Sequence, residues 1–194
     1  MKTPIILFFL LFSSFIGTHQ PEIKQQEKTS NMENKYFTTT ILVNQTPSEV
    51  YKAINNVRGW WSEEIEGPTD ELNKEWFYHY KDIHLCKMKV IALEADKKVV
   101  WEVVENSFNF VKDQEEWVGN HLIFEIKSEG DKTRLTFTQE GLTHFYECYN
   151  VCREAWTNYI QNSLYKLITT GKGEPNPKEG DGYNKALADK WKLN

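Results

Sequence analysis

The sequence predicts an α+β domain in which a curved antiparallel sheet wraps round one long carboxy-terminal helix. Three observations carry this. Segments between Tyr36 and Gln139 alternate apolar and polar residues at a period of two, the pattern of half-buried strands. The connections between most of them are short, so neighbours pair antiparallel as a meander. After the last strand, Phe145, Tyr149, Cys152, Trp156, Ile160, Ser163 and Leu167 recur at steps of three and four along a helix from about Tyr146 to Thr170. That stripe must be buried, and the concave side of the sheet is the apolar surface on offer.

The elements follow in order. Tyr36 to Asn44 is rich in β-branched and aromatic residues and reads as a strand. Thr46-Pro47-Ser48-Glu49 opens a helix: Thr46 caps, Pro47 takes the first helical position, and Glu49 completes a capping box. Val50, Ala53, Ile54 and Val57 form its apolar face, and Gly59 ends it. Trp60 and Trp61 follow in a short second helix or turn. Lys74 to Lys81 places Trp76, Tyr78 and Tyr80 on one side of a strand, with Phe77 and His79 on the other. His84, Cys86, Met88 and Val90 share a face in the next. Val99, Trp101 and Val103 do so after the Ala95-Asp96 turn, then Leu122, Phe124 and Ile126. Leu135, Phe137 and Gln139 follow the Gly130-Asp131 turn. Asn150, Glu154, Asn158, Gln161 and Tyr165 form the polar face of the long helix, which Gly171 stops as a left-handed cap.

The two ends differ from the middle. Residues 1–31 begin with Lys2 and an apolar run from Pro4 to Gly17, shorter than the roughly 20 residues of a membrane-spanning helix. They read as a signal peptide and linker, which makes the protein exported, or as residues upstream of a true start at Met32, which makes it cytoplasmic. Residues 32–171 form the domain. Residues 172–194, with Gly173, Pro175, Pro177, Gly180 and Gly182, read as a polar tail with a short helix near Lys185 to Lys192.

The chain has 194 residues and a net charge of −5. Each end carries +1, leaving −7 in the middle. This acidic domain without a Lys/Arg cluster excludes nucleic acid as a partner, because phosphate binding needs a positive field. The three Cys do not make a disulfide framework. Cys148 and Cys152 lie four apart on the helix, where a bridge strains the backbone, so all three read as small buried side chains. His144, Cys148 and Cys152 at successive spacings of four are the nearest approach to a metal set. His144 sits at the helix start, and no second ligand cluster accompanies them, so no metal or other cofactor is expected.

At this level residues 35–171 resemble the helix-grip superfamily of START domains and birch-pollen allergens. Within it they are similar to the branch named after the activator of the heat-shock protein 90 ATPase. The resemblance rests on Phe37-Thr38-Thr39 running into Ile41-Leu42-Val43, on Pro47, Glu49 and Val50 at the first helix, and on the Trp60-Trp61 pair. His84 to Val90 also matches, as do Trp156, Ser163-Leu164, Leu167 and Gly171-Lys172-Gly173 in the closing helix. Ala155 departs from the Gly that the branch carries before the Trp. The resemblance implies a cavity for a small apolar ligand between sheet and terminal helix. It implies no catalytic set, and the branch name implies a possible contact with a chaperone.

By facing, the residues expected to line such a cavity are Trp76, Tyr78, Tyr80, His84, Met88, Trp101, Phe124, Phe137, Tyr149, Trp156 and Ile160, with Arg153 beside the helix stripe. The same rings would make a solid core if they packed on one another. The polar tips of Tyr78, Tyr80 and Trp101 would orient a ligand. Arg153 would grip a carboxylate or, more commonly, snorkel from the helix edge. The expected function is non-catalytic binding of a small hydrophobic or amphipathic molecule. A cyclase- or dehydratase-like enzyme would need His84, Tyr78 or Arg153 to converge on one point of the cavity. A chaperone-activating module is the third reading.

Overall fold

The computed structural model describes residues 36–193. The expected signal peptide and the alternative start at Met32 lie outside them. Six strands form one antiparallel sheet: β1 (Phe37–Val43), β2 (Glu75–Tyr80), β3 (His84–Glu94), β4 (Lys98–Phe108), β5 (His121–Glu129) and β6 (Lys132–Glu140). The order across the sheet is β1-β6-β5-β4-β3-β2, so β2 to β6 form the expected meander and β1 pairs with β6 from Phe37↔Gln139 to Val43↔Thr133. Two register shifts between β3 and β4, at Lys87/Met88 and Val90/Ala92, bend the sheet. Strand β4 pairs with β5 only from Lys98 to Glu102. Its far half is backed instead by the 109–120 loop, where Phe108 N donates to Gln114 O and Gly119 N to Val103 O.

Helix α1 (Pro47–Asn55) starts on the expected capping box, with Glu49 N donating to Thr46 Oγ1 and Thr46 N to Glu49 Oε2. A 3₁₀ turn (Val57–Gly59) then drives Trp60 and Trp61 into the interior, where both are buried. The long helix runs without a break as α2 (Tyr149–Asn158), a π-helical segment (Tyr159–Leu164) and α3 (Tyr165–Thr170), and ends on Gly171 at φ 79°.

The π segment changes the buried face. Its wider turn keeps residues four apart in line, so Cys152, Trp156, Ile160, Leu164 and Ile168 point inward, with Tyr159 and Ser163 beside them. The expected stripe therefore shifts by one residue at its end, where Ile168 is more deeply buried than Leu167. At its start, Phe145 is exposed, because the helix begins only after Cys148.

The segment expected to be a polar tail is folded back on the domain. Asn176 is buried, donates through N and Nδ2 to Trp61 O, and forms a parallel bridge with Ser62. Gly173 passes so close to Gly59 O that a side chain there would meet it at 2.2 Å. Helix α4 (Tyr183–Trp191) then lies against α2, burying Asn184, Leu187 and Ala188. Backbone and amide hydrogen bonds hold this segment, and its composition does not advertise them.

Candidate functional site

The interior beneath the sheet has two unlike ends. At one, aromatic rings fill the space. Trp60 stacks on Trp101 with ring centres 6.4 Å apart, Trp76 meets Trp101 edge-on at 5.1 Å, and Phe124 lies 4.8 Å from Trp101. Phe137 links Phe124 at 4.9 Å to Trp156 at 4.6 Å. Trp76, Met88, Trp101, Phe124, Phe137 and Ile160 are all wholly buried.

The other end holds a cavity of about 50 Å³. Tyr78, Tyr80, Ile83 and His84 of the β2–β3 hairpin form one wall, and Phe108, Phe110 and Trp117 a second. Trp61 and the helix residues Val151, Cys152, Ala155, Trp156 and Tyr159 form the third, and Asn184, Leu187, Ala188 and Leu193 close it. A volume of this size takes a few water molecules; pockets for organic ligands run to several hundred Å³.

Local contacts set these walls. Glu116, in the 109–120 loop, accepts from Glu147 N and Cys148 N at 2.8 Å each, and so fixes the loop to the start of the long helix. That places Trp117 parallel to Trp156 at 5.9 Å, with its Nε1 donating to Cys148 Sγ at 3.2 Å. Cys148 and Cys152 are joined as a disulfide, contrary to the expectation of three separate thiols. Cys148 sits at the helix cap rather than inside it, and the Cα atoms lie 5.6 Å apart, within the ordinary range for a bridge. Both sulfurs are thereby committed to each other, and His144 beside them is exposed. Among the described residues no cluster of metal-ligating side chains forms.

A buried amide–phenol network anchors the fourth wall. Asn184 Nδ2 donates to Tyr78 OH at 2.7 Å, and Tyr159 OH donates to Asn184 Oδ1. Asn176 Nδ2 donates to Tyr159 OH at 3.1 Å, while Asn176 Oδ1 accepts from Asn184 N at 2.7 Å. Burial pushes the Tyr78 and Tyr159 hydroxyls well above the usual tyrosine range, so both stay neutral. Burial also lowers His84 to about 4, against the opposing pull of its hydrogen bond to Asn106. Asn106 Nδ2 donates to Gln114 O, which leaves its oxygen to accept from His84 Nε2. Among the described residues, the buried polar atoms without a hydrogen-bond partner include Trp61 Nε1 and Tyr80 OH, on residues that line the cavity, and Trp76 Nε1, Trp101 Nε1 and Gln139 Nε2 in the filled end.

No protein-family model matches the chain, and no curated protein matches it. Solved structures do. The Aha1 dimer from Colwellia psychrerythraea superposes with a TM-score of 0.58 at 20% identity, over 72% of this chain and 99% of that one. Mll3558 from Rhizobium loti gives 0.55 at 16% identity, over 70% and 96%. DynU16, from a dynemicin biosynthetic locus, gives 0.54 at 13% identity, over 71% of this chain and 48% of that one. The fold is the helix grip. At these identities the likeness speaks for architecture alone.

Within this helix grip, the residues expected at the cavity part company. Tyr78, Tyr80, His84 and Trp156 line it. Trp76, Met88, Trp101, Phe124, Phe137 and Ile160 face the interior as expected, but pack on one another instead of leaving space. Tyr149 is half-buried one turn from the cavity, outside its lining. Arg153 is exposed and borders a different, polar surface groove with Tyr183, because the helix turns it away from the sheet. The lining residues that sequence reasoning missed are Trp61, Ile83, Phe108, Phe110 and Trp117, the helix residues Val151, Cys152, Ala155 and Tyr159, and Asn184, Leu187, Ala188 and Leu193. The Trp60-Trp61 pair was a visible signal. For α4 the signal was the spacing of Asn184, Leu187 and Ala188 on one helix face, masked by the surrounding Lys, Asp and Gly.

Proposed function

We propose that this protein binds a small apolar or amphipathic molecule, without transforming it, at the mouth of its helix grip. The observation that carries the reading is the composition of that mouth. Aromatic walls leave a small cavity there, and its last wall comes from a separate short helix. The space present is about 50 Å³, so in this reading occupancy by an organic molecule goes with movement of that wall.

The groups available do not favour catalysis. Tyr78 and His84 share the cavity with ring centres 5.2 Å apart, but Arg153 is outside it. An imidazole with a pKa of about 4 is a poor base near neutrality, and a phenol raised above its usual range is a poor acid. The likeness to DynU16 and to the Colwellia protein supports the scaffold for such binding and says nothing about the molecule.

Native mass spectrometry of the freshly purified full chain tests the proposal. One organic molecule per chain, lost on denaturation, is the expected result. A bare chain from every preparation, with a Tm unmoved by a panel of apolar compounds, would reduce the protein to a filled scaffold.

A further inference from the structure

We infer that α4 is a displaceable occupant of the ligand site, and that the ligand it stands in for is a neutral molecule with an apolar body and one carboxamide-like group. The inference rests on the binding reading above and names the chemistry that reading leaves open.

Asn184 inserts a primary amide between two buried phenols. Its NH₂ donates to Tyr78 OH and its carbonyl accepts from Tyr159 OH. Leu187, Ala188 and Leu193 supply the apolar surface that follows. Together they present an amide head on an aliphatic body, which is how a small amphipathic ligand would sit. Their removal would enlarge the cavity, take the donor from Tyr78 OH and the acceptor from Tyr159 OH, which keeps its bond from Asn176 Nδ2, and a carboxamide of similar shape would replace both partners. An anion is poorly suited: among the described residues the lining contains no Lys or Arg, and its imidazole is neutral at pH 7.

The geometry also lets α4 leave without unfolding the grip. Asn176 is pinned by Trp61, and Glu63 N donates to its carbonyl, so the chain is fixed up to that point. Pro177 to Gly182 then crosses the surface, with Gly180 at φ +91° and open space around it. Beyond this strap, α4 is held outside the cavity by the Tyr183 ring, 5.7 Å from that of Tyr159, by Asn184 N donating to Asn176 Oδ1, and by one carboxylate. Glu154 accepts from Lys190 Nζ at 2.7 and 2.8 Å and from Trp191 Nε1 at 3.1 Å, and its carbonyl accepts from Tyr183 OH. This latch is solvent-exposed and correspondingly weak.

Calorimetric titration of the full chain with 2-naphthamide, 2-naphthoate and naphthalene tests both parts, since the three share one body and differ in the head. 2-Naphthamide should bind at least about tenfold more tightly than either of the others. Glu154→Ala, which loosens the latch and touches nothing in the cavity, should tighten 2-naphthamide binding about two- to fivefold. Asn184→Ala, which removes the competing amide, should tighten it about tenfold or more. An unchanged near-UV tryptophan spectrum confirms that each variant keeps its core. Equal affinity in wild type and both variants would overturn the displacement while leaving ligand binding intact. Equal or tighter binding of 2-naphthoate would overturn the ligand class. No binding of any probe by any of the three proteins would sink this inference and the binding proposal together.

Discussion

The two ends of the grip are built from the same residue types and closed by different means. Around Trp101, rings from the sheet and from the Trp60-Trp61 turn interlock, and all belong to elements that cannot separate without global unfolding. Around Tyr78 and Trp117 the rings also meet, Tyr78 with Trp61 at 4.6 Å and Trp117 with His84 at 5.1 Å, but they leave a cavity of about 50 Å³ that α4 helps to close. Closure by the sheet produces a core. Closure by a helix at the end of an exposed strap produces a wall whose stability is local.

Substitutions at the two ends should separate these cases. Trp101→Ala in the filled end should cost about 3–5 kcal/mol in denaturant unfolding, because the surrounding rings cannot collapse into the space. A loss under about 1 kcal/mol would mean that the filled end is as yielding as the mouth. Next in size is the acid response of the mouth. His84 is held near 4 in the folded state against about 6.5 unfolded. The folded state therefore binds fewer protons in that window. Its stability is full above about pH 6.5 and falls as pH drops towards 4, by at most about 3 kcal/mol. Unfolding of wild type and His84→Gln across pH 7 to 4 checks this, since the variant should show a shallower decline. Equal slopes would place the acid sensitivity elsewhere. Leu187→Ala should cost less again, about 1–2 kcal/mol, because α4 can adjust on its strap. Glu154→Ala should be the mildest, under about 1 kcal/mol globally. Its larger signature should be faster amide exchange confined to α4.

Much of the filled end was legible in the sequence. Alternation at a period of two assigned Trp76, Met88, Trp101, Phe124 and Phe137 to the concave face, and the capping residues Thr46, Pro47 and Glu49 located α1. Facing, however, reports direction and not volume, so the same pattern could not distinguish a lined cavity from rings packed on rings. The mouth was less readable for three local reasons. The π segment keeps Ile160, Leu164 and Ile168 in register, and spacing rules for an ideal helix do not anticipate that extra width. The Cys148–Cys152 bridge depends on Cys148 occupying the cap of α2, a boundary that pattern places only within a few residues. The docking of α4 depends on Asn176 and Asn184, polar residues that look like tail until their partners Trp61, Tyr78 and Tyr159 are known. Arg153 failed as a candidate for a plainer reason: it lies on the outward edge of α2, beside Glu154 and Thr157.

Residue-resolved hydrogen exchange on the full chain, with and without 2-naphthamide, addresses the central claim most directly. Amides of residues 186–191 should exchange by local opening, far faster than those of β5, β6 and α2, and should speed up further when the compound binds. Exchange of α4 at the rate of global unfolding, unaffected by the compound, would make it a permanent part of the core and contradict the account.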